Sequence, residues 1–255
     1  MTTTIEHQAS AKRPRVHEQL IHVLLKRIIR GEMAVGAKLS TERALAAEFQ
    51  VNRATVREAL RYLENLDLIA IRQGDGAYVK NFLQSRNPET AKALMHVDDA
   101  MRYEILTAIL EVRRINSPEV AYAAALKRSP AHLQQLEKVA CHSPDIPILE
   151  RDKSVHHIIG IACGNILQVL MTNFYEDFFY DFGHLYFQSD QNITRSEAFH
   201  RDIYDAIREQ NAGMARDIMR DVLQYAENAV LETSARNAVT KYVAVEEHLE
   251  TNTNA

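Results

Sequence analysis

Apolar positions recur at helical spacing along most of the chain, with one short interruption by an alternating pattern. Val16, Leu20, Val23, Leu24 and Ile28 return every three or four residues and predict a first helix, which Gly31 stops. Ser40 is placed to cap a second helix over Thr41–Phe49, and Gln50 and Val51 make a turn. Asn52 can cap a third helix that runs to about Asn65 and carries the apolar stripe Val56, Ala59, Leu60 and Leu63. Leu68–Arg72 and Ala77–Lys80 then read as short strands around Gln73-Gly74-Asp75-Gly76, a hairpin signal. Residues 81–98 form a connector with one short helix near Glu89–His96.

From Asp99 onward the pattern is helical throughout. A first stretch runs to Asn116, where Ser117 can cap a new helix with Pro118 in its first turn. Further helices fit about 131–140, 148–163, 166–187, 195–210 and 213–239, and Gly164 stands where a helix should end. The fold expected is mainly α. An N-terminal winged helix-turn-helix with a small β wing is expected over 14–80, and an all-α helical bundle over 99–240. Residues 1–13 and 241–255 are expected to be flexible tails.

Composition narrows the class. Hydrophobic residues make up 46% and charged residues 25%, so a packed core is within reach; the 8 Gly and 6 Pro are few, as in a helical protein. The net charge of −4 is unevenly spread. Residues 1–80 hold 13 Lys and Arg against 9 Asp and Glu, and residues 81–255 hold 17 against 25. A basic end beside an acidic body is expected when one module faces phosphates and the other does not. Two cysteines, Cys141 and Cys163, give no disulfide framework and suit a reducing cytosol. The first fifteen residues lack the apolar run of a signal peptide, and no 18-residue apolar stretch occurs, so a cytoplasmic protein without membrane spans is expected.

The candidate chemistry of the N-terminal part is DNA contact. Arg53 and Arg57 lie four apart on the third helix, on the face away from Val56, Leu60 and Leu63. Arginine suits a bidentate contact to guanine O6 and N7 in the major groove. Asn52 and Thr55 can reach phosphates or base edges, Arg43 sits near the turn, and the Gly74 tip is small enough to approach the minor groove. The bland alternative is a solvated arginine face paired with Glu58 and Glu64.

The segment STERALAAEFQVNRATVREALRYLENLDLIAIRQGDGAYV resembles the DNA-binding domain of the GntR family of bacterial repressors. The S-E-R-x-L-A, V-x-R-x-T-V-R-E-A-L and Q-G-x-G-x-Y-V elements carry the resemblance, over nearly all of 16–80. It implies that Arg43, Arg53 and Arg57 take base-contact positions, Asn52 and Thr55 supporting contacts, and Gly74 the wing tip. A homodimer on a palindromic double-stranded operator is the corresponding expectation. Residues 99–230 resemble, more loosely, the all-helical effector domain of the FadR subfamily. The matching pieces are Leu110-Glu111-Val112-Arg113-Arg114 with Pro118-Glu119, Asp152-x-x-x-His156 with Gly164-Asn165, and Phe199-His200 with Ile207 and Ala215 through Arg220.

Asp152 and His156 project together from an apolar helix, and His200 can bring a second imidazole from another. One carboxylate and two imidazoles suit a divalent metal such as Zn, Ni or Mn. The resemblance places a fourth ligand, usually histidine, at Val222, which cannot ligate. A metal-free hydrogen-bonded pair is the alternative. The resemblance also implies that Arg113 points into the pocket and clamps the carboxylate of a small organic acid; a solvated arginine paired with Glu111 or Glu119 is the alternative. The aromatic run FYEDFFYDFGHLYF, Phe174–Phe187, resembles the fatty-acid-responsive branch and offers a fatty acyl effector, or else plain core. A helical metal-dependent enzyme built on Asp152, His156 and His200 is the rival from another class. No HExxH, GxSxG or phosphate-binding glycine loop accompanies those residues.

Overall fold

A computed structural model describes residues 16–143 and 145–253, with side chains described from 17 to 236 apart from 144. The chain divides into two compact units at Arg102 and Tyr103. The flexible tail expected at 1–13 lies outside the described residues.

In the first unit, α1 (Val16–Ile29), α2 (Glu42–Glu48) and α3 (Arg53–Asn65) close around Leu20, Leu24, Leu45, Val56, Ala59, Leu60 and Leu63, all buried. α2 starts one residue later than expected. Thr41, not Ser40, is its cap, because the Thr41 hydroxyl is the one that accepts the Ala44 amide, at 3.2 Å. Gln50 takes a left-handed conformation, φ 54°, which turns the chain between the two helices. Asn52 caps α3 as expected and accepts the Thr55 amide at 2.8 Å.

The wing is an antiparallel pair, β1 (Ile69–Arg72) and β2 (Gly76–Val79), in the register Ile69 to Val79 and Arg72 to Gly76. Gly74 and Gly76 have φ of 77° and 146°, which side-chain-bearing residues rarely adopt. The connector is folded down rather than loose. After a 3-10 turn at Phe82–Gln84, α4 (Glu89–Leu94) buries Ala93 and Leu94, with Met95 and Val97 beyond it. The Thr90 hydroxyl donates to the Leu66 carbonyl at 2.7 Å, closing the end of α3.

The second unit is all helical: α5 (Asp99–Lys127), α6 (Pro130–Cys141), α7 (Ile148–Ala162), α8 (Ile166–Glu176), α9 (Phe179–Tyr186), α10 (Asp190–Arg208) and α11 (Ala212–Thr253). α6 packs on α7 and α10, α7 on α8, and α11 on α9 and α10. Ala121, Ala124, Leu136, Val155, Ile159, Ile203, Ile207, Ala215 and Met219 fill the centre. Mainly α with a small wing, as the pattern predicted, is the fold.

Three boundaries differ from expectation. α5 does not restart at Ser117 but passes through Pro118, which is buried. Proline removes one backbone hydrogen bond and crowds the preceding turn. Here both halves bury residues, Leu106, Ile109 and Leu110 before it and Val120, Ala121 and Ala124 after it, and packing outweighs the local cost. The helix expected over 166–187 is broken at Asp177–Phe178. Consecutive helical residues point about 100° apart, yet Phe178 and Phe179 are both buried, and the tightened turn lets each find a cover. α11 stays helical through Thr253, beyond the frayed end expected from 241, because no Gly or Pro follows Gly213 to stop it.

One glycine sets the spacing beside the pocket. A Cβ on Gly160 of α7 would lie 2.7 Å from the Thr172 Oγ1 and 3.0 Å from its Cβ, on α8. Gly160→Ala is therefore expected to destabilise by about 1–3 kcal/mol despite its better helix propensity. A lowered Tm checks this, and an unchanged or raised Tm contradicts it.

Candidate functional site

The first candidate site is the outer face of α3. Arg53 opens the helix and Arg57 follows one turn later, both exposed, with Val56, Leu60 and Leu63 buried behind them. Arg53 and Arg43 are exposed and show no ion pair or side-chain hydrogen bond among the described residues. Arg57 is held: its Nε donates to Glu42 Oε2 at 2.8 Å, across the turn. That contact uses one edge of the guanidinium and leaves the terminal nitrogens for another acceptor. Neither Glu58 nor Glu64 pairs with Arg53 or Arg57. The Glu64 carboxylate instead accepts the Ile71 amide at 2.9 Å, tying α3 to the wing. The Asn52 side-chain oxygen takes the Thr55 amide and, at 3.1 Å, the Thr55 hydroxyl. Capping occupies that oxygen, so contact to DNA from Asn52 falls to its amide N–H groups.

The wing tip holds more chemistry than its glycine. Asp75 accepts from Lys38 Nζ at 2.6 Å and from the Tyr78 hydroxyl at 2.7 Å. The Lys38 hydrogen bond, then that of Tyr78, holds the Asp75 carboxyl below the usual carboxylate range. The Arg72 guanidinium lies over the Tyr78 ring at 4.2 Å. Sequence reasoning named Gly74 and missed Lys38, Arg72 and Tyr78. The strand alternation placed Arg72 and Tyr78 near the tip, but the bridge from Lys38 to Tyr78 is non-local.

The second candidate site is in the helical unit. Asp152 and His156 come from α7, one turn apart; Ser196 and His200 come from α10, also one turn apart. Asp152 is their hub. Its Oδ1 accepts from the Ser196 hydroxyl at 2.5 Å and lies 2.9 Å from His200 Nε2, and its Oδ2 lies 3.6 Å from His156 Nε2. Burial pushes the Asp152 carboxyl up. The His200 hydrogen bond, the neighbouring imidazoles and Ser196 outweigh it and hold the group well below the usual range. An ionised Asp152 only accepts, so His200 carries its proton on Nε2. His200 Nδ1 is buried without a hydrogen-bond partner among the described residues. Burial, and next the charge of Arg113, push His156 down to about 3, so it is neutral at pH 7. His156 stacks on Phe199 at 5.4 Å, whereas His157 points outward to Glu176.

Arg113 of α5 is 6% exposed. It pairs with neither Glu111 nor Glu119, and no hydrogen bond or ion pair of its guanidinium occurs among the described residues. Its guanidinium carbon lies over the rings of Phe182, at 4.9 Å, and Phe179, at 6.0 Å. Burial lowers its pKa, while the Asp152 charge nearby works against that shift. Arg114 turns away and pairs with Glu227 at 2.5 Å. Two small cavities meet at Arg113. One, of about 30 Å³, is lined also by His156, Lys153, Tyr175 and Phe179. The other, of about 20 Å³, is lined also by Asp152, His156, Phe182, Tyr186 and Val222. Ser196, Tyr175 and Tyr186 were missed from the sequence, although Ser196 stands four residues before His200.

Asp152 and His156 thus lie together, as their spacing predicted, His200 joins them from α10, and Arg113 and Val222 line the same cavity as Asp152 and His156. The donor types suit a divalent ion, but their arrangement does not. Among the described residues no group of three or more His, Cys, Asp or Glu is placed to hold a metal. The imidazoles address the carboxylate, and the fourth side is a valine beside a buried guanidinium, where a further cation is repelled. No helix among the described residues is long and apolar enough to cross a membrane.

Comparison with known proteins agrees with both halves. Residues 16–79 match the family described as bacterial regulatory proteins, gntR family, and residues 108–225 match the FCD domain. The HTH-type transcriptional regulator LutR of Bacillus subtilis is 39% identical over 109 residues, 42% of this chain and 47% of that protein. The chain thus spans about half the length of LutR. The HTH-type transcriptional regulator Mce2R of Mycobacterium tuberculosis is 31% identical over 163 residues, 62% of this chain and 68% of that protein. The galactonate operon transcriptional repressor of Escherichia coli is 24% identical over 204 residues, 78% of this chain and 89% of that protein. A DNA-binding head with an arginine-bearing second helix and wing, joined to a helical domain with a polar pocket, makes this chain a transcriptional regulator rather than an enzyme, and it belongs to the GntR family.

Proposed function

We propose that the protein is a homodimeric repressor that binds a palindromic operator and is controlled by a small organic acid held at Arg113. It would act in the cytoplasm, where operator DNA lies. The observation that carries the effector reading is the buried Arg113 guanidinium, which has no hydrogen-bond partner among the described residues and lines two cavities. A buried charge left unpaired is costly, and a carboxylate answers both the charge and the N–H donors. The cavities favour a short acid over a fatty acyl chain: each has room for about one or two water-sized groups. The repressor role follows the name of the galactonate relative. The acid must bind the DNA-competent and incompetent arrangements with different affinity, or it shifts nothing.

A second reading places a divalent ion on Asp152, His156 and His200. It is favoured by the convergence of two imidazole Nε2 atoms on one carboxylate. Native and denaturing mass spectrometry of the purified protein, with metal analysis, separates the readings. The expected result is a metal-free dimer that carries or takes up one small acid per subunit. Stoichiometric Zn or Ni that survives dialysis moves the centre of the site to Asp152. A long-chain acyl species moves it to the aromatic run of α8 and α9.

A further inference from the structure

The wing is wider than its two strands. The Leu39 amide donates to the Ala77 carbonyl at 2.8 Å and the Val79 amide to the Ala37 carbonyl at 2.9 Å, so residues 36–39 run along the free edge of β2 as a third extended segment. Lys38 stands directly opposite Tyr78, and Tyr78 opposite Ala70 of β1. Residues opposite one another in a sheet point to one face, as do residues two apart in a strand. Lys38, Tyr78, Gly76 and Arg72 therefore share a face, while Leu39, Ala77, Val79 and Ile69 are buried on the other. Lys38 and Arg72 are exposed.

That outer face is organised around its two cations. The Arg72 guanidinium lies 4.2 Å and the Lys38 ammonium 5.7 Å from the Tyr78 ring centre. One Asp75 oxygen accepts from Lys38 and the other from the Tyr78 hydroxyl. Gly76 keeps the path of the lysine open, since a Cβ there would lie 2.8 Å from Lys38 Cε. A free lysine loses rotamer entropy on making a contact, and one held in advance loses less. The ammonium donates to Asp75 and keeps two further N–H donors. The Arg72 guanidinium makes no hydrogen bond or ion pair among the described residues. Two cations against one carboxylate leave the face net positive. Three segments spaced about 4.8 Å apart are too broad to enter a minor groove about 6 Å wide. Only the Gly74 tip can enter, and the face is left against the phosphates that rim the groove. We infer that Lys38 and Arg72 form a clamp for the DNA phosphate backbone, separate from the base contacts of α3, and that Asp75 is the residue that positions Lys38 for it.

The inference rests on the operator-binding reading above, and the experiment separates the two. Duplexes selected from a random pool by the wild type, and an unrelated duplex, are titrated with the full-length protein by fluorescence anisotropy at several salt concentrations. Lys38→Gln and Arg72→Gln are each expected to weaken binding about three- to tenfold, equally on both kinds of duplex, and to lower the slope of log affinity against log salt by about one per subunit. Lys38, Arg72 and Asp75 are exposed, so these substitutions leave the core of the head untouched. Asp75→Ala tests positioning. On charge alone it tightens binding, because a negative charge leaves a face turned to phosphate. The expected result is instead a loss of about threefold in the wild-type background and a gain in the Lys38→Gln background, where no lysine remains to be held. Wild-type affinity and slope in both Lys38→Gln and Arg72→Gln overturn the clamp and leave operator binding by α3 standing. A loss confined to the selected duplexes makes the two residues base contacts and overturns it as well. Tightening by Asp75→Ala in both backgrounds removes Asp75 from positioning. Failure of the wild type to select or bind any duplex overturns the operator reading and the clamp together.

Discussion

Arg53→Ala is expected to weaken operator binding by about thirtyfold or more, with the dimer intact by sizing. Arg53 is the first residue of α3, exposed, and unengaged by any described side chain, so in the proposed complex its guanidinium would meet the major groove without giving up another contact. A bidentate arginine–guanine contact is worth about 1–3 kcal/mol against the wrong base. The proposed two-fold dimer would present it twice, which brings the expected loss to about 2–6 kcal/mol. Arg57→Ala should cost a similar amount, but Glu42 conditions it. The 2.8 Å contact from Arg57 Nε orients the guanidinium and leaves its terminal nitrogens forward. A half-exposed pair of this kind contributes little to stability, about 0–1 kcal/mol, so its worth lies in aim. Glu42→Ala should therefore reduce discrimination between operator variants more than overall affinity. The test uses duplexes selected from a random pool by the wild type, then gel shift at two salt concentrations. Wild-type affinity in Arg53→Ala removes the residue from base contact. An equal loss on selected and unrelated DNA reduces it to a phosphate contact, with a shallower salt dependence.

How far this molecule could be read from its sequence depended on whether the determining contacts are local. Asn52 was legible as a cap because a side-chain oxygen three residues before an amide is a local geometry. Thr41 against Ser40 was not, since both residues can cap and only the chain's entry angle decides. The pairing of Arg57 with Glu42, and of Lys38 with Asp75, depends on how the turn and wing fold back, and nothing at spacing three or four announces it. In the helical unit, Asp152 with His156 was legible from one turn of spacing, and Ser196 with His200 could have been. Helix boundaries failed where packing overrode propensity: α5 runs through Pro118 because both of its halves are buried, and the aromatic run splits so that Phe178 and Phe179 can both leave water. The hydroxyls of Tyr175 and Tyr186 were invisible at that level, because an aromatic stripe reads the same whether its polar tips are paired or stranded.

Arg113→Met is expected to abolish the response to acid while leaving the fold nearly as stable as before, and the two halves of that expectation together define the residue's role. A charge-assisted bidentate contact to a carboxylate contributes about 2–3 kcal/mol, so its loss should weaken acid binding roughly thirtyfold or more. Stability follows a separate argument. Were Arg113 the structural counter-ion of Asp152, its removal would strand a buried carboxylate at a cost of about 3–5 kcal/mol. Asp152, however, draws its hydrogen bonds from Ser196 and His200, and no guanidinium nitrogen of Arg113 comes within ion-pair distance of it. Methionine is shorter by two atoms but keeps an unbranched, flexible apolar stem whose thioether can turn toward Phe179 and Phe182, where sulfur–aromatic contact is favourable. The desolvation of an unpaired guanidinium also disappears. These opposing effects leave an expected change within about 1 kcal/mol of wild type. Urea unfolding of the two proteins reads the stability, and release of the selected duplex by acid reads the response. A variant that unfolds several kcal/mol more easily makes Arg113 a structural partner of Asp152. A stable variant that still releases DNA on adding acid moves the effector away from this pocket altogether. A stable variant that stays on its operator whatever the acid concentration is what a binding arginine, desolvated in advance of its ligand, should give.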